Sequence, residues 1–271
     1  MIYFFWVAAS LLILNCTHPI RESGPPVAIL GAFSDEIEML NDSIQNRQDD
    51  TIGGIRFIRG ELSGKKVVIA YTGIGKVNAA MTTTLLLEKY HPSGVIFTGI
   101  AGGINPSLKP GDLVVSERCV QHDLNIVYDD SLVSYQPPNP ITGKINPVYY
   151  YADSLMLEAA RNSESNIEFV PVVASQDTLH PRIIFGTIAT GDAFIASKKK
   201  NNELSSRFHA DAVEMEGAAV AQLCYQRGIP FIIIRSISDS ADEYAEFDIR
   251  EFYQAAARNA NLVVMKLLKN I

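Results

Sequence analysis

Four consecutive residues, Phe231-Ile232-Ile233-Ile234, followed at once by Arg235-Ser236-Ile237-Ser238-Asp239, constrain this chain more than any other stretch. A run that is aromatic or β-branched at every position has no polar face. As a strand it is buried on both sides, the state of strands in a parallel sheet covered by helices. Ser238 and Asp239 then fall at the carboxyl end of that sheet, where open α/β folds bind ligands. Similar apolar runs recur at Val27–Gly31, Val67–Tyr71, Val95–Thr98, Leu113–Ser116 and Ile183–Ala189. Helical patterns lie between them at Val77–Tyr90, Ser154–Asn162 and Gly217–Arg227. Phe252, Ala256, Ala260, Val263 and Leu267 recur every three or four residues and mark one face of a terminal helix. Strands alternating with helices predict an α/β domain with a mostly parallel sheet covered on both sides. The 271 residues hold no long internal linker, so one domain is expected. The proline-rich stretch Tyr135–Pro147 has no clear period and reads as a loop or flap.

The amino terminus carries a separate message. Ile2 to Leu14 is an unbroken run of apolar or small residues, too short to span a bilayer but of the length of a signal peptide's apolar region. It ends in Ile13-Leu14-Asn15-Cys16, which resembles a relaxed lipobox. The expected division is a signal peptide over 1–16 with Cys16 acylated, a proline-marked tether over 17–26, and a folded domain over 27–271. That predicts an exported, membrane-anchored lipoprotein on the periplasmic or surface side. Asn15 is large for the position before cleavage, and no Lys or Arg precedes the run, so an uncleaved anchor, a misassigned start codon or an unprocessed cytoplasmic chain stays open. Only Cys119 and Cys224 then remain, and no disulfide framework is indicated. A formal charge of −7 argues against a general polyanion binder, and Lys198-Lys199-Lys200 reads as a solvated face. Nucleic acid is not an expected partner.

Charged residues at the borders of apolar segments point to a ligand site. Glu214 and Glu216, in Val213-Glu214-Met215-Glu216-Gly217, point the same way on an extended segment and splay apart on a helix. On spacing alone, one of them capping the helix near Glu216 while the other is solvated is an equal reading. After the first strand, Gly31-Ala32-Phe33-Ser34-Asp35-Glu36-Ile37-Glu38 opens a helix with acid, which the helix dipole alone explains for the group. Thr72-Gly73-Ile74-Gly75-Lys76 and Thr98-Gly99-Ile100-Ala101-Gly102-Gly103 read as turns that let backbone approach a ligand closely. Neither spells a dinucleotide or P-loop fingerprint. Thr190-Gly191-Asp192-Ala193-Phe194-Ile195 sets an aromatic after a turn, suited to stacking on a flat ring or to core packing. His122, His180 and His209 are scattered, so neither a metal nor another cofactor is expected.

Taken in order, the acidic turn, Thr-Gly-Ile-Gly-Lys-Val, Thr-Gly-Ile-Ala-Gly-Gly, Gly-Asp-Ala-Phe-Ile, Val-Glu-Met-Glu and Ile-Ser-Asp resemble the nucleoside phosphorylase family. Within it they resemble the 5′-methylthioadenosine/S-adenosylhomocysteine nucleosidases, from about Val27 to the carboxyl end. The resemblance implies a single-domain nucleoside phosphorylase-like fold with a central mixed, mostly parallel sheet, and a homodimer. It also implies hydrolysis of the bond between adenine and the ribose of thioether nucleosides, with 5′-deoxyadenosine an open further substrate. Position by position, it makes Asp239 the acid that protonates the purine, oriented by Ser238, and Glu36 the group that positions or deprotonates the attacking water. Glu216 corresponds to the carboxylate that accepts both ribose hydroxyls, with Met215 beneath the sugar and Glu214 and Arg235 nearby. Phe194 corresponds to the ring that stacks on adenine and the Ile195 backbone to the group that reads the base edge. Phe33, Ile74 and Phe247 correspond to apolar positions around the sugar and its 5′ substituent, and Ala101 and Gly102 to backbone close to the ligand. An oxocarbenium-like transition state explains why such chemistry needs both an acid at the leaving base and anions near the sugar. Burial is expected to help Asp239 hold its proton.

Two positions depart from the pattern: Ile100 stands where Ser is frequent and Phe33 where Met is common. The segment Asp123–Tyr151 is too divergent to map, so no partner-subunit residues are drawn from it. The nearest rival is a phosphate-dependent phosphorylase, which presents basic residues where this chain has Ser34-Asp35-Glu36. The other is a surface lipoprotein that binds nucleosides or polyanions without catalysis.

Overall fold

The computed structural model describes residues 24–164, 167–174, 177–242 and 244–271. Cys16, the apolar run before it and most of the tether lie outside these residues. The chain runs through β1 (Val27–Gly31), α1 (Ser34–Asp42), a hairpin of β2 (Gln45–Ile52) and β3 (Ile55–Leu62), β4 (Lys65–Tyr71), α2 (Lys76–Tyr90) and β5 (Gly94–Gly103). It continues with β6 (Leu113–Gln121), a second hairpin of β7 (Asn125–Tyr128) and β8 (Ser131–Ser134), β9 (Tyr149–Tyr151), α3 (Ser154–Ser163), a third hairpin of β10 (Val172–Ala174) and β11 (Asp177–Leu179), and β12 (Ile183–Thr190). The last quarter holds α4 (Lys198–Phe208), β13 (Ala212–Glu214), α5 (Gly217–Arg227), β14 (Phe231–Asp239) and α6 (Ala245–Asn270).

One ten-stranded sheet organises the molecule in the order β13-β12-β6-β14-β5-β1-β4-β3-β2, with β9 added to β6. β4, β1, β5 and β14 are parallel neighbours, as are β6, β12 and β13. The two groups meet antiparallel where β14 pairs with β6, and β2, β3 and β4 form an antiparallel wing. β13 also pairs antiparallel with β5, so five strands close into a ring at one end of the sheet.

The apolar run that opens β14 shows why the sheet is covered twice. Phe231 and Ile233 pack with Leu86, Ala218, Val220 and Cys224 on the α2 and α5 side. Ile232 and Ile234 pack with Ile37, Met156, Val263 and Leu267 on the α1, α3 and α6 side. Alternation along one strand thus feeds two cores. Cys119 and Cys224 are free and buried.

Several elements differ from the sequence expectations. Thr98–Gly103 is not a turn but the second half of β5, because its small residues let the strand pass close against the side chains of neighbouring segments. β2 is a polar edge strand without the apolar alternation that betrays a strand, and β3 buries Phe57, Ile58 and Leu62 at positions that do not alternate. The flap contains the β7–β8 hairpin and β9, while Tyr135–Pro147 stays irregular apart from one bridge between Pro138 and Ile145.

Candidate active site

The carboxyl ends of β1, β4, β5, β12, β13 and β14 converge, and the charged residues singled out above meet there. Glu36 lies in the first turn of α1 with 2 % of its surface exposed. Its Oε2 accepts the backbone N–H groups of Ala32 and Phe33, and Oε1 accepts that of Ile100 at 3.0 Å. Three of roughly four acceptor positions are filled, leaving one for a further donor. Burial pushes the Glu36 carboxyl above the usual range, opposed by the Arg235 guanidinium and the three amides. Gly99 is required here, since a Cβ at that position would lie 2.3 Å from Glu36 Oε1.

Glu214 and Glu216 are two residues apart yet differently engaged. Glu214 ends β13, and its Oε2 accepts the N–H groups of Glu216 at 3.1 Å and Gly217 at 2.7 Å, capping α5 from outside the helix. The same oxygen takes Arg235 Nη2 at 2.7 Å and Nε at 3.3 Å, while Thr190 donates its hydroxyl to Oε1. Its acceptor capacity is consumed by protein. Glu216 takes one N–H from Gly75 at 2.8 Å, and its Oε2 stands 3.9 Å from Arg235 Nη2. It keeps acceptor positions in hand, and burial, reinforced by Glu214, pushes its carboxyl up to about 8. Gly75 presents that amide from a backbone φ of 93° at the head of α2, a conformation that suits glycine. Neither glutamate is solvated, so the solvated alternative fails for both.

Arg235 is 1 % exposed and sits over the Phe97 ring at 4.1 Å. Burial works against its charge, but Glu214, Glu36 and Glu216 outweigh it and hold the cation.

Asp239 ends β14. Ser238 donates its hydroxyl to Asp239 Oδ2 at 2.8 Å, and the Ala241 N–H donates to Oδ1 at 2.8 Å. A Cβ at Gly102 would lie 2.8 Å from that Oδ1, so Asp239 abuts β5 three residues beyond the point where Glu36 does. At about 3.3 Å per residue, the two contact points are on the order of 10 Å apart along the strand. Gly102, Ala193, Phe194, Ile195, Val213, Met215 and Asp239 line a small cleft, with Phe194 45 % exposed at its mouth. Ala101 is buried, and its carbonyl oxygen lies 3.4 Å from Ser238 Oγ.

Ile74 is exposed beside Gly75. Phe33 packs on Tyr253 with ring centroids 5.6 Å apart. Phe247 belongs to the first turns of α6, where side chains fall outside the described residues. Sequence reasoning missed Thr190, which ties Glu214 to the Ala218 N–H, and Lys76, whose N–H and ammonium hold Asp192 and Asp123. Both fall inside stretches already read as turns, but nothing in the sequence says which atoms they meet. Tyr253 left no signal at all.

Comparison with known proteins agrees with this geometry. The family model of the phosphorylase superfamily matches residues 26–269. A 5′-methylthioadenosine/S-adenosylhomocysteine nucleosidase of Psychromonas ingrahamii is 36 % identical over 246 residues, covering 90 % of this chain and 99 % of the relative. The crystal structure of the Neisseria meningitidis nucleosidase of that name, in complex with methylthio-immucillin-A, superposes with a TM-score of 0.78 at 34 % identity. That match covers 91 % of this chain and 100 % of the other. A Colwellia psychrerythraea nucleosidase in complex with adenine gives 0.78 at 32 %, covering 91 % and 95 %.

Proposed function

The chain belongs to the phosphorylase superfamily and, within it, to the 5′-methylthioadenosine/S-adenosylhomocysteine nucleosidases, and on that premise we propose how its residues divide the work. It hydrolyses the N-glycosidic bond of both nucleosides and releases adenine. Asp239, oriented by Ser238, protonates the departing purine, and Phe194 stacks on it while the Ile195 backbone reads its edge. Glu36 uses its remaining acceptor position to hold and deprotonate the attacking water. Glu216 accepts the ribose hydroxyls over Met215, and Glu214 and Arg235 hold Glu216 and the head of α5 in place beneath the sugar. Phe33, Ile74 and Phe247 surround the 5′ substituent, with Ala101 and Gly102 forming the floor.

The observation that carries this reading is the excess of buried carboxyl groups over cations: Glu36, Glu214 and Glu216 bracket a guanidinium that they already satisfy. Burial makes Glu36 and Glu216 hold their protons more tightly than usual, and a sugar that becomes cationic in the transition state favours their ionised forms, whereas a phosphate dianion opposes them. The test is adenine release from 5′-methylthioadenosine in phosphate-free buffer, with free methylthioribose as co-product and a rate unaffected by added phosphate. A sugar 1-phosphate formed only when phosphate is present would assign the phosphorolytic reaction instead.

Two finer statements belong to the same reading. The protein acts as a homodimer, supported by exposed apolar residues on the head of α2 (Val77, Met81) and on the β7–β8 hairpin (Val127, Tyr128, Val133). Sedimentation showing a monomer at micromolar concentration would overturn this. It is exported and tethered through acylated Cys16, supported by the apolar run before that cysteine. An unmodified Met1 in native protein, read by mass spectrometry, would overturn that.

A further inference from the structure

We propose that Tyr253, on the terminal helix, is a positioning residue for Glu36, gripping the turn between β1 and α1 at two points so that α6 fixes where that carboxylate lies. The inference rests on the reading of Glu36 as the water-holding group. The ring of Tyr253 packs on Phe33, and its hydroxyl interacts with the Asp35 carboxylate, which Ser34 also contacts at 2.7 Å. One side chain therefore holds both ends of the tripeptide that precedes Glu36.

The same contact reaches Glu36 by a second route. Phe33, Tyr253, Ile100, Ala256 and Ala257 form a small apolar cluster separate from the main cores. Phe33 and Ile100 are also two of the three residues whose N–H groups hold the Glu36 carboxylate. The side chains that pack on α6 thus belong to the residues whose backbones aim Glu36. Moving Tyr253 moves the donors. Ile100 and Phe33 are the two departures from the family pattern noted in the sequence, and here they meet in one contact. A bulky apolar residue at each position gives the helix something to hold. Because α6 begins six residues after Asp239, the helix is anchored near the proton donor at one end and on the water-holding turn at the other. Misplacement of a reacting group by about 1 Å costs about 10²-fold in rate, so a contact of this kind is felt in turnover.

The test uses Tyr253→Phe, which keeps the ring and removes the hydroxyl, Asp35→Asn, and Tyr253→Leu. Tyr253→Phe is expected to lower kcat about tenfold with KM within about twofold, and Tyr253→Leu about 10²-fold. Asp35→Asn should match Tyr253→Phe, and the double variant should be no worse than either single one, since both remove one contact. Hydrogen exchange supplies a readout independent of turnover. Peptides covering Ala32–Ile37 and Thr98–Ala101 should exchange faster in Tyr253→Phe, while Val213–Val220 is unchanged. Additive losses in the double variant, a kcat equal to wild type in both Tyr253 variants, or unaltered exchange at Ala32–Ile37 would each overturn the proposal. Should the wild-type protein release no adenine, the reading of the reaction fails, and the exchange measurement still decides whether Tyr253 holds the turn.

Discussion

The two ends of the central sheet make opposite use of space. At the amino ends of the strands lies the larger groove, about 790 Å³, walled by Pro25, Val27, Gly94, Met156 and Pro230. Its charged rim residues Lys66 and Glu158 are exposed to water. At the carboxyl ends the open space is smaller, yet Glu36, Glu214, Glu216, Arg235, Ser238 and Asp239 are each at most 7 % exposed. Taking an ion out of water costs several kcal/mol even after relaxation, whereas a surface groove between packed elements costs little. Buried charge therefore marks where the fold works, and volume does not.

That contrast can be broken by substitution at either end. The largest effects belong to the proton-transfer groups: Asp239→Asn and Glu36→Gln should each lower kcat by about 10²–10⁴ with unchanged secondary structure by circular dichroism. Near-wild-type adenine release by either would remove that residue from the chemistry. Glu214→Gln comes next. It leaves Arg235 buried beside an amide and should cost about 3–5 kcal/mol of stability, measured by urea denaturation. A loss below about 1 kcal/mol would mean that the pair is less buried in solution.

A smaller effect concerns pH. The Glu216 carboxyl ionises at about 8 in the folded protein against an ordinary 4.5, so between those values the folded state holds a proton that the unfolded chain has released. Stability must then fall as pH rises through that window. Glu216→Gln should lessen the fall, gaining on wild type from about pH 5 to pH 8 in thermal melts. It should not abolish it, because Glu36 is shifted the same way. Parallel melting curves for the two proteins across that range would show Glu216 to be ordinary. The smallest effect is at the other end, where Leu155→Ser on the groove rim should leave kcat unchanged and shift stability by no more than about 0.5 kcal/mol.

Much of this layout is legible in the amino-acid sequence. The β14 run announces a doubly covered strand because it has no polar face, and the carboxylates stand out because charge beside such a run must be explained. What stays hidden is pairing at a distance. Glu214 and Glu216 look equivalent in sequence, and only the approach of Thr190 and Arg235 to one of them separates a structural carboxylate from one with acceptor sites to spare. The antiparallel contact of β13 with β5 rests on glycines that read as a turn. Tyr253 looks like any half-buried aromatic on an amphipathic helix, and its partners Phe33 and Asp35 lie over 200 residues away. Local periodicity reports which face a residue occupies, not whom it meets there.

The closed ring of strands also sets an order of events during folding. Pairing of Gly102 and Gly103 with Val213 and Ala212 joins segments about a hundred residues apart, and loop entropy must be overcome before those contacts return any energy. Contacts so remote slow the search for the native state. During synthesis Glu36 leaves the ribosome early, while Glu214, Arg235 and Asp239 emerge only near the end of the chain. Recovery of adenine release during refolding would therefore time the closing of the ring, and would lag behind the recovery of helical signal.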